Sequence, residues 1–187
     1  MTFHVAENNF SFLSLSFLMK VCRCYFLYPG QDESRGLQIE FRRVLEDGSS
    51  AVVNEVAVNA ESTDVFQVVC RINNIGDLGK FSIISVFRLQ GNTYMKLAQM
   101  QNVDETSTDT YRKPVLSPGV SGWTAVGEYT NNPRDSYVGV ARQMSAISCN
   151  DAVTYRCEVT YTTPDFATLT GVINRTLSVQ GNLYLVF

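Results

Sequence analysis

Few side chains in this sequence could do covalent or metal chemistry. The chain has one histidine, His4, and five cysteines, Cys22, Cys24, Cys70, Cys149 and Cys157. A single histidine gives no metal-binding pair and no base beside a nucleophile, and neither a phosphate-loop motif nor a dinucleotide fingerprint is present. The acidic runs "VLEDG" and "NVDETSTD" offer oxygen ligands of the kind calcium takes, but they lack the EF-hand spacing and read as solvated loops. The basic pair in "FRR", Phe41 to Arg43, reads as an exposed part of an edge strand. The expectation is a protein that is not an enzyme, with no catalytic residue, no metal site and no cofactor. Two sequons, "NFS" at Asn9 and "NRT" at Asn174, are candidates for glycosylation if the chain is exported.

The elements that position these residues read as strands. In "DAVTYRCEV", residues 151 to 159, Val153, Tyr155, Cys157 and Val159 take one phase while Thr154, Arg156 and Glu158 take the other, the period of a half-buried strand. "VFQVVCRIN" repeats the pattern, with Phe66, Val68, Cys70 and Ile72 on one face and Val69 as the exception. "GLQIEF" and "VNEVAVN" suit first edge strands. "FSIISVFRLQ" and "TYMKLAQM" read as a hairpin across "QGN", and "WTAVGEY", "SYVGVARQM" and "FATLTGVINRTLSVQ" complete the set. Between Gln101 and Gly122 the polar, turn-forming residues predict a long loop. In the final run Asn174 and Thr176 fall on the solvent phase, whereas Arg175 falls on the apolar phase beside Ile173 and Leu177, so a bulge, an edge position or an escaping side chain is expected there.

Length and composition allow one sizeable core. Of 187 residues, 45% are hydrophobic and 18% charged, which excludes a disordered or collagen-like chain. The formal net charge of −3 comes with scattered Lys and Arg, which argues against a nucleic-acid partner.

Taken together, "VVC" on one strand and "DAVTYRC" on a later one resemble the immunoglobulin superfamily. The resemblance implies an all-β fold, a two-sheet antiparallel immunoglobulin-like sandwich of variable type, with the 101–122 insertion ahead of its later strands. It implies a Cys70–Cys157 bridge between sheets, which would contribute about 4 to 5 kcal/mol on the loop-entropy model. It also makes Tyr155 the corner residue whose hydroxyl returns to backbone, and Asp151 the cap of the turn before it, with Met144 and Ile147 in apolar slots upstream. The tryptophan usual on the third strand is absent. Ile84 or Val86 takes its slot, and Phe81, Phe87 or the sole tryptophan, Trp123, fills the remaining volume. The partial pattern is similar to divergent invertebrate domains such as those of fibrinogen-related and other secreted immune lectins.

The ends and the odd cysteine are read separately. Residues 1–34 read as an apolar leader or N-terminal extension, 35–180 as the immunoglobulin-like domain, and 181–187, "GNLYLVF", as a tail suited to a truncated product. "FSFLSLSFLM" has the length of a signal-peptide core without a basic flank, and a membrane span through it would bury Lys20 and Arg23, so no membrane insertion is expected. Cys149 has three readings: a second bridge to an N-terminal cysteine, a link between chains that would make an oligomer, or a free thiol. The function expected is extracellular recognition or adhesion, secreted or at the cell surface, with an unknown protein or glycan partner; the alternative is a spacer domain of a larger extracellular protein. Tyr111, Arg112, Lys113 and Trp123 are the first candidates for a contact surface, because aromatics and Arg are favoured at energetic centres of interfaces; for Trp123 the competing reading is a core residue.

Overall fold

The computed structural model describes residues 36–73, 76, 78–102, 112–130 and 132–181. Two five-stranded sheets form among them, plus one two-stranded pair. The strands are β1 (Leu37–Val44), β2 (Ser50–Val52), β3 (Glu55–Val58), β4 (Val65–Ile72), β5 (Lys80–Gln90), β6 (Thr93–Gln101), β7 (Val115–Leu116), β8 (Thr124–Glu128), β9 (Tyr137–Gln143), β10 (Thr154–Thr162), β11 (Thr168–Thr176) and β12 (Ser178–Gly181). One sheet runs β2-β1-β4-β9-β8 and the other β11-β10-β5-β6-β7, while β12 lies parallel to β3.

Residue alternation explains this architecture. Every second residue of β10 is buried, namely Tyr155, Cys157, Val159 and Tyr161, while its neighbours are half-exposed. Strand β4 buries Phe66, Val68, Cys70 and Ile72 together with Val69. The two inward faces meet in one core, and Cys70 and Cys157 are joined across it with their Cα atoms 5.3 Å apart. Around the bridge, Ile39 stands opposite Cys70 and Val86 opposite Cys157 within their sheets. A four-stranded β1-β4-β9-β8 layer facing a β11-β10-β5-β6 layer, with an added strand beyond β6, is the variable-type immunoglobulin arrangement.

Three sequence expectations are corrected here. The run from residue 166 to 180 is not one strand: β11 pairs antiparallel with β10, then the chain breaks at the buried Leu177 and β12 pairs with β3 instead. The 101–122 segment is not wholly loop, since β7 within it adds to the edge of β6; residues 103–111, with Tyr111, lie outside the described residues. Phe87 does not fill the tryptophan volume. It is half-exposed on the outward face beneath Lys96, whose Nζ is 5.6 Å from its ring centroid. Phe81, by contrast, is buried against Tyr129.

Candidate binding surface

The turn before β10 fixes one end of the sandwich. Residues Cys149–Asp151 form a single 3-10 turn capped by Ser148, and Asp151 reaches back to accept from the Ser148 N–H at 2.9 Å. Its other carboxylate oxygen accepts from Arg142 Nη1 at 3.1 Å and lies 3.6 Å from Arg88 Nη2, so the charge, 1% exposed, is paired from two strands. A buried carboxylate requires such partners. Three residues further on the chain enters β10, and Tyr155 sends its hydroxyl back to the Asp151 carbonyl at 3.4 Å. Burial, and then the Asp151 charge, push that phenol far above its ordinary range. Met144 and Ile147 are buried just upstream.

Trp123 belongs to this framework and not to a contact surface. It is 8% exposed in the core cluster, with the Arg142 guanidinium 4.9 Å from its ring centroid, so the same arginine that pairs with Asp151 covers the indole. Arg112 is also engaged, at 4.8 Å over the Tyr129 ring, and Lys113 is exposed. Tyr111, the fourth member of the predicted cluster, lies outside the described residues. Cys149 is disulfide-bonded, so the free-thiol reading is set aside; Asn9, Cys22, Cys24 and His4 lie outside the described residues.

The opposite end carries the exposed apolar feature. Strands β10 and β11 are joined by Thr163–Ala167, in which the Phe166 N–H donates to the Thr163 carbonyl at 2.9 Å and the Thr163 N–H to the Ala167 carbonyl at 2.9 Å. Pro164 takes the second position of the turn, where its fixed φ is suited. The Thr163 hydroxyl accepts from the Ala167 N–H at 3.1 Å and is hydrogen-bonded to the Asp165 carboxylate. That bond holds the Asp165 carboxyl below the usual carboxylate range. Phe166 closes the turn at φ 66°, a left-handed conformation usually left to glycine, and its side chain is 88% exposed. Leu169, 42% exposed, stands nearby on β11.

The tip was missed in the sequence. "FATLTGVINRTLSVQ" reads as strand from Phe166 onward, whereas the φ and the exposure of Phe166 place an aromatic outward in the turn. At the far end a cavity of about 290 Å³ is lined by Val53, Val56, Val58 and Met144 with Arg43 and Glu55 at its polar side. Arg43 is committed to Asp64 at 2.5 Å. Among the described residues no group of three or more His, Cys, Asp or Glu is placed to hold a metal ion, and no helix is long and apolar enough to cross a membrane.

Strand order, the inter-sheet bridge and the tyrosine corner define the class: a variable-type, immunoglobulin-like β-sandwich. No protein-family model matches the chain, and no curated protein matches it in sequence. Among solved structures it is similar to murine CRIg, at 12% identity and a TM-score of 0.48, over 77% of this chain and 98% of that one.

Proposed function

We propose that the chain is a non-enzymatic extracellular recognition domain whose contact surface is the β10–β11 hairpin tip. The observation that carries this reading is Phe166, 88% exposed at a positive φ. A left-handed residue with a Cβ costs about 1 to 2 kcal/mol, and an exposed phenylalanine forgoes about 2 kcal/mol of burial, so the folded domain alone gains nothing from this residue. A partner with an apolar pocket recovers the burial term at the interface, and the left-handed backbone is what holds the ring outward to meet it. Asp165 beside it is fully exposed and favoured in its charged form, which suits a pocket rimmed by a cation or by N–H donors and opposes an anionic lipid or nucleic-acid surface. The Cys70–Cys157 bridge supports an oxidising compartment, secreted or at the cell surface.

The fold supports no particular ligand. The resemblance to secreted immune lectins makes glycans a class to test beside proteins. A labelled multimer of the chain, applied to panels of intact cells, purified extracellular proteins and immobilised glycans, should bind at least one target, and Phe166→Gly should abolish that binding while raising the melting temperature. Binding that persists in Phe166→Gly removes the tip from the reading. A multimer that binds none of the three panels leaves the spacer role as the better description.

A further inference from the structure

We propose that Asn174 is an N-glycan attachment site, and that its glycan lies over the outward face of β10 and β5, leaving the hairpin tip as the surface open to partners. The inference rests on the extracellular reading, since the modification needs export.

The sequon "NRT" lies within β11, where residues two apart share a face, so Asn174 and Thr176 both point outward while Arg175 points the other way. Asn174 stands opposite Arg156 in the β10–β11 ladder, and its Oδ1 accepts from Arg156 Nε at 2.9 Å. This bond leaves the attachment atom uncommitted, because an N-glycan is joined through Nδ2 and the linked amide keeps its carbonyl acceptor. Attachment and the Arg156 contact are therefore compatible. The Thr176 hydroxyl is 2.8 Å from that of Thr154, a cross-strand bond that forms only when β10 and β11 pair, so it does not hinder modification of the extended chain.

What lies beneath the attachment point indicates where the sugar goes. The Arg156 guanidinium sits 3.6 Å from the Tyr94 ring centroid and 3.5 Å from Glu158, giving a flat platform of cation, ring and carboxylate on β10 and β6. Its polar groups suit hydroxyl-rich sugar, and its planar groups suit the apolar face of a pyranose. Lys96 stands on the same outward face, over Phe87. From Arg156 to Thr162, six residues along β10, the strand rises about 20 Å, so the tip stands clear of the attachment point.

The test uses the full chain produced in cultured animal cells, once with its own N-terminus and once behind an added cleavable leader. Exported protein is deglycosylated enzymatically in heavy-oxygen water, and the peptide holding residue 174 is mapped. The expected result is an isotope-labelled aspartate at 174, absent in Thr176→Ala. An unmodified Asn174 in exported protein overturns the proposal while leaving the extracellular reading intact. A chain retained inside the cell unless the leader is added, yet glycosylated with it, supports the site and removes residues 1–34 as a sufficient export signal. Coverage is read separately by amine acylation of folded protein before and after enzymatic glycan removal. Lys96 should react several-fold faster after removal, with Lys113 unchanged as the control. Equal Lys96 rates would overturn the coverage.

Discussion

Tyr155 does two jobs of unequal weight. Its ring is fully buried and meets Phe41 edge-on at 5.7 Å, whereas its hydroxyl makes one long bond to the Asp151 carbonyl. Packing should dominate. Tyr155→Phe is expected to cost about 0.5 to 1 kcal/mol, the low end for a lost hydrogen bond, and Tyr155→Ala about 3 to 5 kcal/mol, both read from urea unfolding. The raised phenol pKa adds a pH dependence of known sign. Because the folded state favours the neutral phenol, this contribution is complete below the unfolded value of about 10 and is lost as pH rises above it. NMR of labelled tyrosine should show Tyr155 ionising only together with unfolding, and a Tyr155 that titrates reversibly near pH 10 in folded protein would contradict its burial. Much of this corner was legible, since Asp151, Tyr155 and Cys157 lie within seven residues of one another. Arg142 was not. Its role depends on the turn that folds β9 back toward β10, which spacing along a strand does not reveal.

At the scale of the strand, Arg175 explains its own misplacement. Alternation put a charge on the apolar phase, where a bulge, an edge position or an escaping side chain was expected; β11 is the outermost strand of its sheet, as the edge reading had it, and its register with β10 shows no bulge. Instead the guanidinium crosses between sheets, donating to the Ile39 carbonyl at 2.6 Å and to Asn54 Oδ1 at 2.6 Å, with its plane 4.9 Å from the Phe41 ring centroid. Strand β2 pairs with β1 only over Arg42 to Val44, so the edge of β1 at Ile39 is otherwise open. Arg175 closes that edge and keeps it from pairing with other chains. Arg175→Met should retain the apolar stem yet strand the Ile39 carbonyl, lowering stability by about 1 to 3 kcal/mol and hastening amide exchange in β1 more than in β4. Uniform exchange across the two strands would argue against a local clasp. The strand pattern itself was readable because periodicity is local. The parallel β3–β12 pair was not, since nothing in either run names a partner more than a hundred residues away.

At the scale of the whole molecule, the Cys70–Cys157 bridge ties the two layers together covalently. The Cys70–Cys157 bridge spans 87 residues of sequence, and removing it as the Cys70→Ala/Cys157→Ala pair should cost about 2 to 5 kcal/mol. Denaturant unfolding of oxidised wild type against the double variant measures it, and a difference under about 1 kcal/mol would mean that packing alone sets the stability. The sequence carried this feature through two inward cysteines on alternating strands. It could not carry the contact surface, because burial of Trp123 and exposure of Phe166 depend on where neighbouring strands lie and not on residue type.

The parallel pair of β3 and β12 also sets an order of events during synthesis. Ser178 meets Glu55 at a separation of 123 residues, so β3 leaves the ribosome long before the strand that completes it. Until then the buried Val56 has no cover from Val179, and the sandwich stays open along one side. Closure of so distant a pair is slow by topology alone, so apolar surface stays uncovered on the nascent chain through most of its translation.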